Sequence, residues 1–525
     1  MTLLPMTRRA LGAAALGLAA LPRQSRAAGA PGRLQVGLSA PNTTMDPHLL
    51  SNAPNNAVAS HIFDALVTNN EQSRSIPGLA ESWRVVDDTH WVFTLRRAAF
   101  SDGTPFTAGD AIASLRRATD IPSAASFRTY TRSIKTMEAP DPHTLLIETH
   151  APDPLLPNSL SRVRIIKEGF KDASTADFNA GKAAIGTGAF VLKEYVPGSH
   201  VALARNDGWW GPRLPWSEAV LRASTDSGGR LASLLSGDLD LIEGVPAESS
   251  GRITADPRFH LIRGASSRVV YIAMDQRRDV SPFITGKDGK PLDRNPLKDR
   301  RVREALTLAI NRPGIVERVM SGNAVAAGQF LPRGGLGAAP DVDVPPYDPA
   351  HAQALLREAG YPQGFRITLH GPNDRYVNDA KIVQAVAQMF TRVGVDTQVS
   401  VMPWSVYANK AADFSVFLSS WGVNTGETSN PLSAICATPD KAAGLGIANE
   451  AGYSNPALDA KLKQALRTLD DDVRNALLAE ASSLAFHDAA ILPLHYEVSV
   501  WGARKGLTYA ARADQYTLAM GVGQA

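Results

Sequence analysis

His90-Trp91-Val92-Phe93-Thr94-Leu95-Arg96-Arg97 is followed by Asp102-Gly103-Thr104-Pro105 and then by the apolar-periodic run from Gly109 to Ala118. Trp91, Phe93 and Leu95 recur every second residue, which is the period of a strand with one buried face. Asp-Gly-Thr-Pro is turn chemistry, and the run beyond it has helical spacing. The stretch therefore reads strand, turn, helix. Further along, Leu34, Val36 and Leu38 alternate with Gln35, Gly37 and Ser39, predicting a strand that starts the fold. Arg366 to His370 and Phe414 to Ser419 read as strands too. Helices are predicted over Pro296 to Ile310, Asp379 to Arg392, Asn455 to Arg467 and Asp472 to His487. Asp348 is an N-cap, Pro349 suits the first helical position, Leu355, Leu356 and Ala359 form the apolar face, and Gly360 is the left-handed stop. In the helix from Pro296, Arg300, Arg301 and Arg303 are expected mostly on the solvent side. Strands and helices alternate from end to end, which predicts α/β lobes. No low-complexity linker separates them, so crossing strands are expected to join them.

The chain has 525 residues, 44% of them apolar, enough for two or three lobes. It carries 54 basic and 51 acidic side chains. Arg8, Arg9, Arg23 and Arg26 lie in the first 27 residues, where no acid occurs, so the remainder is close to neutral. That balance gives no drive toward nucleic acid or an anionic membrane. Thr7-Arg8-Arg9-Ala10-Leu11 and the Ala/Leu/Gly run to Leu21 read as a signal peptide over residues 1–27, similar to a twin-arginine signal, with a general secretory signal as the alternative. Ser25-Arg26-Ala27 offers a cleavage site. No later stretch is apolar enough to span a bilayer. Cys436 is the single cysteine, which leaves no intrachain disulfide and no cysteine-based zinc site, and it is expected to be a small buried apolar residue.

Asp226-Ser227-Gly228-Gly229 is similar to the nucleophile loop of chymotrypsin-like proteases, but it is four residues long and stands before the apolar helix Arg230 to Leu235. Ser227 is expected there as a helix cap. Phosphate loops, zinc helices, nucleophile elbows and dinucleotide turns are missing from the sequence. No two histidines stand at the spacing a helix needs to present two metal ligands. Asp470-Asp471-Asp472 is expected to complement a helix N-terminus. Neither a catalytic residue, a metal nor a cofactor is expected, and the chain reads as a non-enzyme.

A set of segments spreads over nearly the whole chain: Met45-Asp46-Pro47-His48, Ser60-His61-Ile62-Phe63-Asp64-Ala65-Leu66, Leu79-Ala80-Glu81-Ser82-Trp83, Phe100 to Asp110, Ile185-Gly186-Thr187-Gly188-Ala189-Phe190, Leu234 to Asp240, Val302-Arg303-Glu304-Ala305-Leu306 and Tyr453-Ser454-Asn455-Pro456. In this order they resemble the extracytoplasmic solute-binding proteins of family 5, the peptide, nickel and glutathione class that serves ABC importers. The resemblance implies a type II periplasmic binding protein fold, with two large lobes, a hinge and an inserted small domain. The expected division is 28–58 with 184–270 and 495–525 as lobe I, 59–183 as the insert, and 271–494 as lobe III.

The same resemblance implies a monomeric periplasmic protein that takes a small peptide-like solute and delivers it to a membrane permease. Relatives that bind dipeptides pair the ligand carboxylate with an arginine, at the place of Arg375. Relatives that bind a free amine carry an aspartate where this chain has Asn424, and an amide supplies no counter-charge. Glu427 is the expected substitute. Thr425-Gly426-Glu427 is similar to the glutathione-binding members, which points to a di- or oligopeptide, a glutathione-like or other modified peptide, or an opine-like compound. Trp404 and Trp421 match aromatic positions of oligopeptide binders. Tyr130, Tyr271 and Asn55, in the polar loop Asn52 to Asn56, complete the expected contacts. Two other functions compete: a binding protein that signals to a receptor, and an exported peptidase, against which the missing nucleophile and metal sets argue.

Overall fold

The computed structural model describes residues 32–123, 125–423 and 425–525. The signal peptide expected over residues 1–27 lies outside the described residues, as does Asn424.

The opening stretch folds as its sequence predicts. Strand His90–Leu95 buries Trp91, Phe93 and Leu95 and pairs antiparallel with Ala80–Val85 and Thr144–Thr149 in a four-stranded sheet. Gly103 takes the left-handed conformation in the turn. Helix Ala108–Asp120 follows, begun by the Asp110 carboxylate, which accepts from the Thr107 amide at 2.8 Å. Its small face, Ala108, Ala111, Leu115 and Ala118, packs on Phe93, Phe106 and Leu145 to form a separate core.

Twelve other strands form one continuous sheet. Arg33–Leu38 lies parallel between Glu218–Ala223 and Leu241–Glu243 at one end of it. At the other end Val416–Gly422 pairs with Arg366–Pro372. Two long antiparallel strands, Phe259–Met274 and Leu492–Arg504, join the ends. Their chemistry changes along their length. Trp501 and Ala503 enter the core built on Leu34, Phe63 and Phe190, while Val270, Ile272, Leu492 and Leu494 enter the core built on Leu306, Phe365 and Phe390. Val269, Tyr271 and Tyr496 face a further core with Phe330 and Leu478. The pairing slips between Ala265 and Val269, so that Ser266, Ser267 and Arg268 stand opposite Glu497 alone.

Helix caps follow the sequence closely. Asp348 accepts from the His351 amide at 2.9 Å and Gly360 has φ +91°. Asp470 caps Asp471–His487 by accepting from Val473. Two expectations are corrected. Asp226, not Ser227, is the cap of Ser227–Ser236, accepting from Gly229 at 2.6 Å, because an ionised carboxylate is the stronger acceptor for those amides. The segment from Pro296 divides at Asp299, which caps Arg300–Ala309, and Arg303 is buried beside Val302 and Leu306, where the Asp488 carboxylate and main-chain carbonyls satisfy its guanidinium. Its guanidinium donates to the Asp488 carboxylate at 2.6 Å and to the Asp488 carbonyl at 2.7 Å. Cys436 is fully buried.

The four-stranded unit is tethered at Asp64. The Ile165 amide donates to the Asp64 carbonyl at 2.8 Å, and Ala65 bridges Arg164. The Asp64 carboxylate accepts from Trp210 Nε1 at 2.7 Å and Thr187 Oγ1 at 3.2 Å. Burial outweighs those bonds and raises its pKa from 3.8 to about 6. A carboxyl whose folded pKa exceeds its unfolded one stabilises the fold fully below about pH 4, and that contribution is lost as pH rises through about 6. Asn keeps the acceptor oxygen without titrating. The melting temperature of Asp64→Asn minus that of the parent should therefore rise between pH 4 and pH 7. A difference that does not change with pH would contradict the assignment.

Candidate functional site

Strand alternation puts Tyr271 and Trp421 on the same face of the sheet, since Val269 pairs with Trp421 and Tyr271 with Ser419. Next to them, strand Arg366–Pro372 ends in a loop that carries Arg375. The Asp379 carboxylate holds this loop by accepting from the Arg375 and Tyr376 amides at 2.9 and 3.0 Å. Asp374 accepts from the Trp404 amide at 2.7 Å, which fixes the facing helical turn Trp404–Tyr407. The result is a cavity of about 490 Å³ bounded by Tyr271, Arg375, Trp404, Trp421 and Glu450, a size suited to a small organic ligand.

Arg375 places a cation on the wall of this cavity. Its guanidinium lies 5.3 Å from the Trp404 ring centre and 5.7 Å from that of Tyr376. No carboxylate among the described residues comes within ion-pair distance of it. Trp404 is 37% exposed, leaving an aromatic wall open. Trp421 is anchored by its Nε1, which donates to Asn430 Oδ1 at 2.7 Å. Tyr271 is buried, and burial holds its phenol protonated well above the usual range. Arg268 also lines the cavity, but it is engaged: it donates to Ser420 Oγ at 3.0 Å and faces Glu497 at 3.5 Å. Burial raises the Glu497 pKa, and Arg268 and Arg375 act against that rise. A second cavity of about 340 Å³ opens where the two ends of the sheet meet, with Glu243 and Ser499 on one side and Met320 and Val377 on the other.

Four of the expected residues, Arg375, Trp404, Trp421 and Tyr271, therefore converge. The others are placed elsewhere. Glu427 is buried and its Oε2 accepts from Arg474 Nε at 3.2 Å. Thr425 donates to the Glu427 carbonyl, and its own carbonyl accepts from Asn158 of the four-stranded unit at 3.1 Å. Tyr130 packs against Phe127 in that unit, 6.1 Å between ring centres. Asn55 is buried, with Oδ1 accepting from the Thr43 amide and Nδ2 donating to Thr43 Oγ1. Asn424 lies outside the described residues. Sequence reading missed Arg268 and Glu450. The polar interruption Ser266-Ser267-Arg268 inside an apolar strand could have marked the first. Glu450, in an aperiodic loop, had no such signal.

A two-lobed sheet with an inserted unit and a cavity beside the crossing strands is the architecture of a solute-binding protein. Residues 74–443 match the model of bacterial extracellular solute-binding proteins, family 5, and the chain belongs to that family, whose members are the substrate-binding components of ABC importers. The glutathione-binding protein GsiB of Shigella dysenteriae serotype 1 is 29% identical over 476 residues, 89% of each chain. The periplasmic murein tripeptide-binding protein MppA, in its unliganded open form, superposes with a TM-score of 0.80 at 24% identity, covering 94% of this chain and 98% of that one. The periplasmic binding protein DppA of Helicobacter pylori, in complex with the peptide STSA, gives 0.71 at 21% identity over 94% and 98%. Among the described residues no helix is long and apolar enough to cross a membrane.

The loop after Trp421 also touches the inserted unit. Gly426 has φ +75°, and a Cβ there would stand 2.5 Å from the Ser73 carbonyl. Gly103 has a similar φ, +84°, with open space around it. Gly426→Ala should lower the melting temperature clearly more than Gly103→Ala, because strain of about 1 kcal/mol or more is common to both and the clash is not. Equal shifts would mean that the 426–73 contact is absent in solution.

Proposed function

We propose that this chain captures a small peptide-like acid against the Arg375 wall and delivers it to the membrane permease of an ABC importer. The ligand class is a di- or oligopeptide, glutathione or another modified peptide. The protein works as a periplasmic monomer, exported by the N-terminal signal segment, and takes no nucleic acid, metal or cofactor. One observation carries this reading: a guanidinium flanked by two aromatic rings, without an ion pair among the described residues, on the wall of a ligand-sized cavity. A carboxylate docks bidentately on such a group. The rings keep water from one face of it, which strengthens the pairing.

Enclosure follows from energetics. A peptide's amides and charges lose several kcal/mol if buried without partners, so both lobes must supply contacts before closure is favourable. The slip in the crossing strands at Ser266 to Arg268 is the place where one lobe turns against the other. The relative named for binding glutathione makes glutathione the first probe. Arg375→Ala should weaken glutathione binding, measured by isothermal titration calorimetry, at least tenfold, or about 1.4 kcal/mol. The melting temperature of the unliganded protein should barely move, because the side chain makes no ion pair among the described residues. Unchanged affinity would remove Arg375 from the site.

A further inference from the structure

We infer that Glu450 is the ligand's cation-binding residue, and that the cavity selects zwitterions carrying both a carboxylate and a free amine. The inference rests on the peptide-binding reading and specifies it further.

An ammonium brought into a cavity needs a counter-charge or it costs several kcal/mol. The positions that sequence suggested do not supply one. Asn424 is an amide by type. Glu427 is buried with Arg474 as its partner, and Arg474 also bonds Asp471. Glu497 faces Arg268 and lies on the cavity between the lobes. Among the charged residues that line the ligand cavity, Arg268 is thus balanced by Glu497, which leaves Arg375 and Glu450. Glu450 is half-buried and has no ion pair or hydrogen bond among the described residues. One free positive and one free negative group in the same cavity match a ligand of the same composition.

The backbone that bears Glu450 is held in place, as a binding residue requires. Its neighbour Asn449 is buried and donates through Nδ2 to the Ala437 carbonyl at 2.9 Å and the Tyr453 carbonyl at 2.7 Å, while its Oδ1 accepts from the Tyr453 amide at 3.1 Å. The Gln276 amide donates to the Ala451 carbonyl at 2.8 Å. Gly452, at φ +66°, fits against Arg277, where a Cβ would come within 2.5 Å of the arginine side chain. Every polar atom of the neighbouring Asn449 amide is used by the fold, and the Glu450 carboxylate is left to the cavity.

The experiment uses two pools of tripeptides of the same composition, one with free amines and one N-acetylated, offered together to the purified protein. Bound peptides are released by denaturation and counted by mass spectrometry. The parent protein should retain free-amine peptides over acetylated ones by at least tenfold. Glu450→Gln should reduce that preference at least fivefold while still capturing acetylated peptides, and Glu450→Asp, which keeps the charge, should preserve most of it. An unchanged preference in Glu450→Gln overturns the inference and leaves the peptide-binding reading standing. So does a parent protein that takes both pools equally. Capture of neither pool overturns the peptide-binding reading, and the inference falls with it.

Discussion

One pair of strands ties the two lobes together, and its pairing breaks midway, between Ala265 and Val269. Phe259–Met274 and Leu492–Arg504 run antiparallel through both lobes and contribute to the cores on either side. A continuous hydrogen-bonded ladder would make the two lobes one rigid slab. The slip at Ser266, Ser267 and Arg268 removes ladder bonds at the midpoint and sends the freed backbone elsewhere. The Ser267 amide donates to the Ala513 carbonyl at 3.0 Å, and the Ser267 carbonyl accepts from Val423 at 2.9 Å. Ala513 in turn donates to Glu71 of the inserted unit at 2.7 Å. The break is therefore also a junction, where the loop after Trp421, the C-terminal segment and the insert meet within a few residues.

The same economy governs charge. Three guanidiniums largely shielded from solvent are paired within the fold: Arg117 with Asp46 at 2.7 Å, Arg303 with Asp488, and Arg512 with Asp514 at 2.6 Å. Removing one partner of such a pair typically costs about 3 to 5 kcal/mol, so these belong to the scaffold. Arg375 differs because its partners are aromatic faces, and Glu450 because it has none among the described residues. Charges held in position but not used by the fold are available to a ligand.

Local features were legible in the sequence because their causes are local. Asp348, Pro349 and Gly360 bounded a helix by capping chemistry, and Asp379 to Arg392 matches its helix to the residue. The apolar alternation around Trp91 gave a strand that needed no knowledge of its neighbours. Arg303 was misplaced because a buried arginine needs a partner, and its partner Asp488 lies far along the chain. In the site, Arg375, Trp404, Trp421 and Tyr271 were reached through family resemblance, and the fold brings them together. Glu450 was out of reach, since its role depends on which other carboxylates are already paired. That is a property of the folded molecule, invisible in any window of sequence.

The central claim is that the two lobes come together around a guest, and an interlobe distance tests it directly. Spin labels at exposed Lys193 on one lobe and Lys381 on the other avoid Cys436, which is fully buried. Double electron–electron resonance should show a shorter, narrower distance distribution at saturating ligand than without it. A distribution that is the same at full occupancy would contradict the account.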